Sequence, residues 1–171
     1  MGVWVALLRA INLGKRNRVP MAELRRVFED AGCASVRTYI QSGNVLFEHK
    51  RPERADLERA VAEAFGIDTA IALRFAKEIQ AIASARPFGD ETPDAYVMFL
   101  ADKPPRARLK ELSRLDVADD LIERVGADLA VRYPSGFHRA RLTVARVESI
   151  LGVPATLRNW RTVARLAELM N

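Results

Sequence analysis

The sequence contains very little cysteine or histidine and no long apolar run. Cys33 is the single cysteine, so no internal disulfide is possible. It follows Gly32 at the end of a helical pattern, which indicates a packed structural side chain. His49 and His138 are the two histidines, and neither has neighbours at metal-ligand spacing. No segment approaches the roughly 20 apolar residues of a membrane-spanning helix. We therefore expect no metal, no cofactor and no membrane partner.

Familiar nucleotide-binding and catalytic motifs are missing as well. There is no GxxxxGK[ST] phosphate loop and no GxGxxG segment after a strand. Ser42 lies in the turn QSGN rather than in a GxSxG nucleophile elbow, and no histidine is placed to activate it. The sequence thus leaves open whether the protein is an enzyme.

The amino-acid composition is typical of a soluble globular protein, but the charged residues are distributed unevenly along the chain. Its 171 residues are 49% hydrophobic and 29% charged, enough for one domain or two small ones. The N-terminus lacks the stages of a signal peptide, so we expect a cytoplasmic protein. The net charge of +5 divides into +4 over residues 1–50, −4 over 51–130 and +5 over 131–171. An arginine-rich codon bias would not spare the middle, so this asymmetry favours an anionic partner.

Hydrophobic periodicity in residues 1–86 predicts the βαββαβ order of a ferredoxin-like half. The first strand is apolar on both alternating faces, which indicates a covered sheet rather than the open, aromatic sheet of RNA-recognition modules. The predicted strands are residues 3–9, 36–40, 45–47 and 70–75; the predicted helices begin near Pro20, Pro52 and Ala76.

Residues 87–171 repeat the βαββ part of this order, so we predict an α+β protein of two related halves packed as one unit. The boundary is expected in the breaker-rich segment RPFGDETPD. No final strand is visible, and the second half is predicted to end in two helices, residues 142–151 and 157–170. The predicted strands are 96–100, 121–125 and 129–133, with a helix opened by the prolines at 104–105.

Two apolar strands of the first half end in polar turns. In a split βαβ unit the third strand lies between the first and second, so both turns should meet at one sheet edge. Lys15, Arg16 and Arg18 could surround an anion there, beside a helix N-terminus near Pro20. The alternative is two ordinary turns with solvated charges. The candidate site residues are Arg9, Asn12, Lys15, Arg18, Gln41, Ser42 and Asn44.

A second basic segment lies near the C-terminus. A Pro-Ser-Gly turn precedes His138, and Thr156 is a candidate N-cap for the last helix. A helix start flanked by arginines suits a carboxylate or phosphate, although an ordinary cap with solvated arginines is the alternative. The candidate ligand-binding residues here are Arg139, Arg141, Arg158 and Asn159.

Four long blocks of this chain resemble the bacterial family of domain of unknown function 1697. They are VALLRAINLGKRNRVPM, RTYIQSGNVLF, RYPSGFHRARLT and LGVPATLRNWRTVARLAEL. The resemblance implies two related ferredoxin-like halves and supplies no activity. The family's recurring polar residues fall on Arg9, Asn12, Lys15, Gln41, Ser42, Asn44, Arg139, Arg158, Asn159 and Thr162. Ala140 and Arg141 replace its usual Ser and Lys, which favours binding over catalysis.

The leading hypothesis is therefore a cytoplasmic protein that binds an anionic ligand, either a nucleotide or a nucleic acid, through these basic turns. One alternative is a small-molecule enzyme with a polar cleft between the halves. A third possibility is a protein-interaction or oligomeric module with an apolar patch. The oligomeric state is not indicated by the sequence.

Overall fold

A computed structural model describes residues 1–90 and 93–171 of the chain. These residues form two compact units, Met1–Glu78 with Leu169–Asn171, and Ile79–Glu168. The predicted boundary segment RPFGDETPD includes Glu91 and Thr92, which lie outside the described residues. The division at residue 86 and the packing of the halves as one unit stay predictions.

The first unit has the predicted βαββαβ order. Its four strands form one antiparallel sheet in the order β2-β3-β1-β4, so β3 lies between β1 and β2. The elements are β1 (Gly2–Leu8), α1 (Met21–Asp30), β2 (Ala34–Tyr39), β3 (Asn44–His49), α2 (Arg54–Phe65) and β4 (Ile71–Phe75), and α3 (Ala76–Ala85) follows β4 directly.

The second sheet has the equivalent order β6-β7-β5-β8 and is also antiparallel. Both ferredoxin-like halves are thus present. The elements are β5 (Ala95–Leu100), α4 (Arg106–Leu112), β6 (Leu121–Val125), β7 (Asp128–Arg132), a short 3-10 turn (Phe137–Arg139), α5 (Val144–Leu151), β8 (Ala155–Asn159) and α6 (Trp160–Leu169).

Strand β8 corrects the expectation that the second half lacks a final strand. It pairs with β5, with Arg158 opposite Val97 and Ala155 opposite Leu100. The last helix begins at Trp160 rather than near residue 157. Because the change from strand to helix occurs between adjacent residues, no turn-forming sequence marks it.

The two sheets are buried on both faces along their central strands. Val5, Ala6, Leu7 and Leu8 of β1 are each 0% exposed, although alternate residues point to opposite faces. On the helix-covered face the core joins β1 and β3 to α1 and α2, and includes an edge-to-face aromatic pair. A covered first sheet is what its two apolar faces predict. Among the described helices, none is long and apolar enough to cross a membrane.

Candidate functional site

The segment between β1 and α1 is a small hairpin that presents basic side chains. Leu13 and Arg16 form a β-bridge, and the Asn12 N–H donates to the Asn17 carbonyl at 2.9 Å. Lys15 lies at the tip of this hairpin, and both it and Arg16 are exposed. The loop therefore has a defined, hydrogen-bonded backbone, and its basic side chains are exposed to solvent.

The Asn12 side chain connects the two polar strand ends. Its amide nitrogen donates to the carbonyl oxygens of Val19 at 3.0 Å and of Gln41 at 2.9 Å. Its oxygen accepts from the Val19 N–H at 2.8 Å. The turn after β1 and the turn after β2 thus meet, as the strand order predicts. Both amide hydrogens of Asn12 are used within the fold, so the side chain holds the loop together.

Asn44 is placed in the interior rather than at the surface of this site. It is 0% exposed, and its amide nitrogen donates to the Tyr39 carbonyl and to Ser42 Oγ, both at 2.9 Å. The neighbouring Gly43 carbonyl accepts from the Leu8 N–H at 2.9 Å. Asn44 and Ser42 therefore brace the turn between β2 and β3 against the end of β1.

A cavity of about 340 Å³ lies where the hairpin meets the start of α1. Helix α1 begins after Pro20 without a side-chain cap, and its first backbone bond runs from the Leu24 N–H to the Pro20 carbonyl. The preceding amides are the orphan donors of a helix N-terminus. The described residues that line the cavity include no acid; they are Asn12, Gly14, Arg18, Val19, Pro20, Met21 and Gln41.

The charge around this cavity is predominantly positive. Arg18 lines it and is exposed, and neither Arg18 nor Lys15 forms a salt bridge among the described residues. Glu23, in the first turn of α1, is the opposing charge. Arg9 is only partly exposed; its backbone N–H donates to the Ala70 carbonyl, and its own carbonyl accepts from Thr69 Oγ at 2.6 Å.

The second basic segment forms a loop, residues 133–142, that is fixed at both ends. The buried Tyr133 hydroxyl donates to the Leu142 carbonyl at 2.8 Å, and burial, together with Asp120, raises the pKa of Tyr133 above its usual range. Asp120 Oδ2 accepts from the backbone N–H groups of Arg141 at 2.6 Å and Leu142 at 2.8 Å. The side chains of Arg139 and Arg141 are exposed on this loop.

An aromatic cluster at the same loop was missed by the sequence reasoning. The Phe137 ring lies 5.7 Å from the rings of both Tyr96 and Tyr133, and these two lie 5.4 Å apart. Phe137 is nevertheless 55% exposed. An aromatic residue directly before His138 and Arg139 in a turn-rich segment is the signal that could have found it.

The residues predicted at the start of the last helix occupy β8 instead. Arg158 is 7% exposed, and its Nη1 donates to Thr156 Oγ at 2.6 Å and to the Leu157 carbonyl at 2.9 Å. Burial lowers the pKa of Arg158 to about 10. Thr156 is therefore not the cap of α6. Asn159 has that role, because its Oδ1 accepts from the Arg161 N–H at 2.8 Å.

Asn159 also lines a second cavity of about 370 Å³, within the second unit. Arg86 in its wall is paired with Asp90. The lining residues are Ala83, Arg86, Asp90, Pro93, Asn159, Trp160, Arg161 and Ala164. Arg139 and Arg141 are not among them. The predicted second-half residues therefore occupy a strand, a cavity edge and a separate loop.

Other reactive or metal-binding groups are scarce in the part of the chain that the structure describes. Cys33 is 6% exposed, and burial raises its thiol pKa to about 11, as suits a structural cysteine. Residues 1–90 and 93–171 contain no group of three or more His, Cys, Asp or Glu side chains placed to hold a metal ion.

Comparison with known proteins identifies a family and a fold. The sequence model of the family described as "Protein of unknown function (DUF1697)" matches residues 1–129. The chain is similar in structure to a conserved bacterial protein from Streptococcus pneumoniae, with a TM-score of 0.82, 19% sequence identity and 99% of each chain covered. No curated protein matches the chain.

Proposed function

The chain belongs to the DUF1697 family of proteins of unknown function, and we propose that its first unit binds a small molecule bearing phosphate or carboxylate groups. The observation that carries this proposal is the cavity at the start of α1, which combines Arg18 with an uncapped helix N-terminus. None of the described lining residues is acidic. An anion in this cavity would meet a guanidinium and backbone donors together.

The chemistry of the lining favours an oxyanion over other ligands. The planar guanidinium of Arg18 can donate two parallel hydrogen bonds to a phosphate or carboxylate. Gln41 can add a neutral side-chain donor, since only its backbone carbonyl is used by Asn12. Lys15, exposed at the hairpin tip next to the lining residue Gly14, adds a second cation. This combination binds negative charge without requiring any residue to react.

The size of the cavity favours a small ligand. A volume of about 340 Å³ falls within the roughly 300–1,000 Å³ of small-molecule sites. The sheet beside the cavity offers no open face on which the bases of a polymer could stack. Residues 5–8 of β1 are fully buried, and they alternate between the two faces of the sheet. A nucleotide or a similar phosphorylated metabolite therefore fits this unit better than a nucleic-acid strand laid across its sheet.

The test is calorimetric titration of the full chain with inorganic pyrophosphate at low ionic strength. We expect saturable binding and, because charge-assisted hydrogen bonds are lost, a roughly tenfold lower affinity for Arg18→Ala. Arg26→Ala removes another exposed arginine of the same unit and should change the affinity less than about twofold. The amide resonances of Met21, Ala22 and Glu23 should shift on titration.

Two results would contradict the proposal. The first is titration without saturation, which would indicate diffuse attraction to a basic surface. The second is an equal loss of affinity in Arg18→Ala and Arg26→Ala, since net charge rather than the cavity would then determine binding.

A further inference from the structure

The loop at residues 133–142 combines an exposed aromatic ring with unpaired cations. Phe137 is 55% exposed, although its ring rests against Tyr96 and Tyr133. Arg139 and Arg141 are exposed and form no salt bridge among the described residues. An exposed ring beside positive charge offers a stacking face and cations together, and a flat, anionic partner can use both.

The ring is held in one place before any partner arrives. The 3-10 turn is closed by hydrogen bonds from the Arg139 N–H to the Gly136 carbonyl at 3.0 Å and from the Ala140 N–H to the Phe137 carbonyl at 3.2 Å. The loop ends are tied by Asp120 and by the Tyr133 hydroxyl. Stacking on a fixed ring costs little conformational entropy, so the arrangement is preorganised.

The turn also spaces the cations around the ring. A 3-10 helix advances about 120° per residue, so His138 and Arg139 project to the two sides of Phe137. Arg141 lies two residues beyond Arg139, after the helix has ended at the extended backbone of Ala140. A base on Phe137 would therefore have the Arg139 guanidinium beside it, and that of Arg141 further along the loop, for its flanking phosphates.

We propose that this loop binds single-stranded nucleic acid, with one base stacked on Phe137 and adjacent phosphates bound by Arg139 and Arg141. Single-strand binders combine stacking rings with a basic track in this way. A lipid surface would need several exposed apolar side chains, whereas this loop exposes one large ring between cations. The proposal uses no residue of the first-unit cavity and does not depend on it.

The carboxylates near the loop are already engaged. Asp120 is buried and accepts two backbone N–H groups, and Asp94 is paired with Arg132 at 3.0 Å. Asp119 is exposed and accepts a hydrogen bond from Ser135. A nucleic-acid strand would approach Phe137 along loop residues 136–141, which include no acidic residue, while Asp120 is buried beneath the backbone of Arg141.

The test measures binding of the full chain to a fluorescently labelled single-stranded oligonucleotide by anisotropy. Phe137→Leu keeps an apolar side chain and removes the ring, and we expect it to lower the affinity roughly tenfold or more. Phe137→Tyr keeps the ring and should bind as the unaltered chain does. Leu121→Ala, which trims another exposed apolar residue of the second unit, is the control and should leave binding unchanged.

The nucleic acid can be varied in the same assay. An abasic strand keeps the phosphates and loses the bases, and a duplex keeps both but hides the base faces; both should bind more weakly than the single strand. Arg139→Ala and Arg141→Ala should each reduce the slope of log affinity against log salt by about 0.7, while Arg114→Ala, another exposed arginine of the unit, should not.

Equal binding of the abasic strand, or an unchanged affinity of Phe137→Leu, would overturn the stacking assignment. Failure of any oligonucleotide to bind would overturn the whole inference. Neither result bears on pyrophosphate binding in the first unit, because the two assays use different probes and different variants.

Discussion

The amide groups of two asparagines hold the backbone of the first-unit site in place. Asn12 satisfies the Val19 N–H and carbonyl and the Gln41 carbonyl at once, while Asn44 donates to the Tyr39 carbonyl from a fully buried position. A side-chain amide suits this work because it presents one acceptor and two donors in a plane. These residues shape the cavity, and Arg18 supplies its charge.

Replacing Asn12 by aspartate tests this structural role. The change keeps the size of the side chain and the acceptor for the Val19 N–H, but it places a carboxylate oxygen against two carbonyl oxygens. We expect the free energy of unfolding in urea to fall by roughly 1–3 kcal/mol. Gln41→Ala is the control, because Asn12 binds only the Gln41 backbone, and its stability should change by less than about 0.5 kcal/mol. Equal stability of Asn12→Asp and the unaltered chain would remove Asn12 from this role.

At the level of elements, seven of the eight strands were predictable and β8 was not. The first seven have apolar alternation or flanking turns. Strand β8, ATLRN, carries two buried polar residues, and Leu157, Trp160 and Val163 continue into α6 at helical spacing. The same abrupt passage from strand to helix occurs between Phe75 and Ala76. The repeat between the halves was therefore the one feature that could have predicted β8. Since the first half has the order βαββαβ, the same order in the second half requires a strand after α5.

Two glycines with positive φ, Gly43 in the turn between β2 and β3 and Gly14 in the hairpin after β1, should differ in how well they tolerate alanine. Gly43 has φ +79°, and a Cβ there would lie 2.8 Å from Ile11 Cδ1 and 3.0 Å from Leu8 Cβ. Gly14 has φ +60° with nothing within 4 Å of its Cβ position. Gly14→Ala should cost only backbone strain, about 1–2 kcal/mol.

Gly43→Ala should cost at least about 1 kcal/mol more than Gly14→Ala, because steric overlap is added to strain. Urea unfolding of both variants measures the difference. Equal losses would mean that the turn relaxes freely away from the end of β1.

For the whole molecule, two units of the same strand order present different side chains at their proposed binding sites. The first-unit cavity is lined by Arg18 and a helix N-terminus, whereas the second-unit loop combines Phe137 with Arg139 and Arg141. The charge pattern, positive at both ends of the chain, predicted an anionic partner without assigning it to one unit. The separate positions of the basic segments depend on buried contacts that are distant in sequence. Asp120, for example, fixes the loop by accepting from the backbone N–H groups of residues 141 and 142, and no local sequence pattern predicts this contact.

Separate sites should respond separately to substitution. We expect Arg18→Ala to weaken pyrophosphate binding and leave the oligonucleotide affinity within about twofold, and Phe137→Leu to do the reverse. In the double variant the binding free energy of each probe should equal that of the single variant that affects this probe, to within about 0.5 kcal/mol, because the sites share no residue. Calorimetry and anisotropy on the four proteins complete this cycle. If Arg18→Ala weakened oligonucleotide binding as much as Phe137→Leu does, the separation would fail.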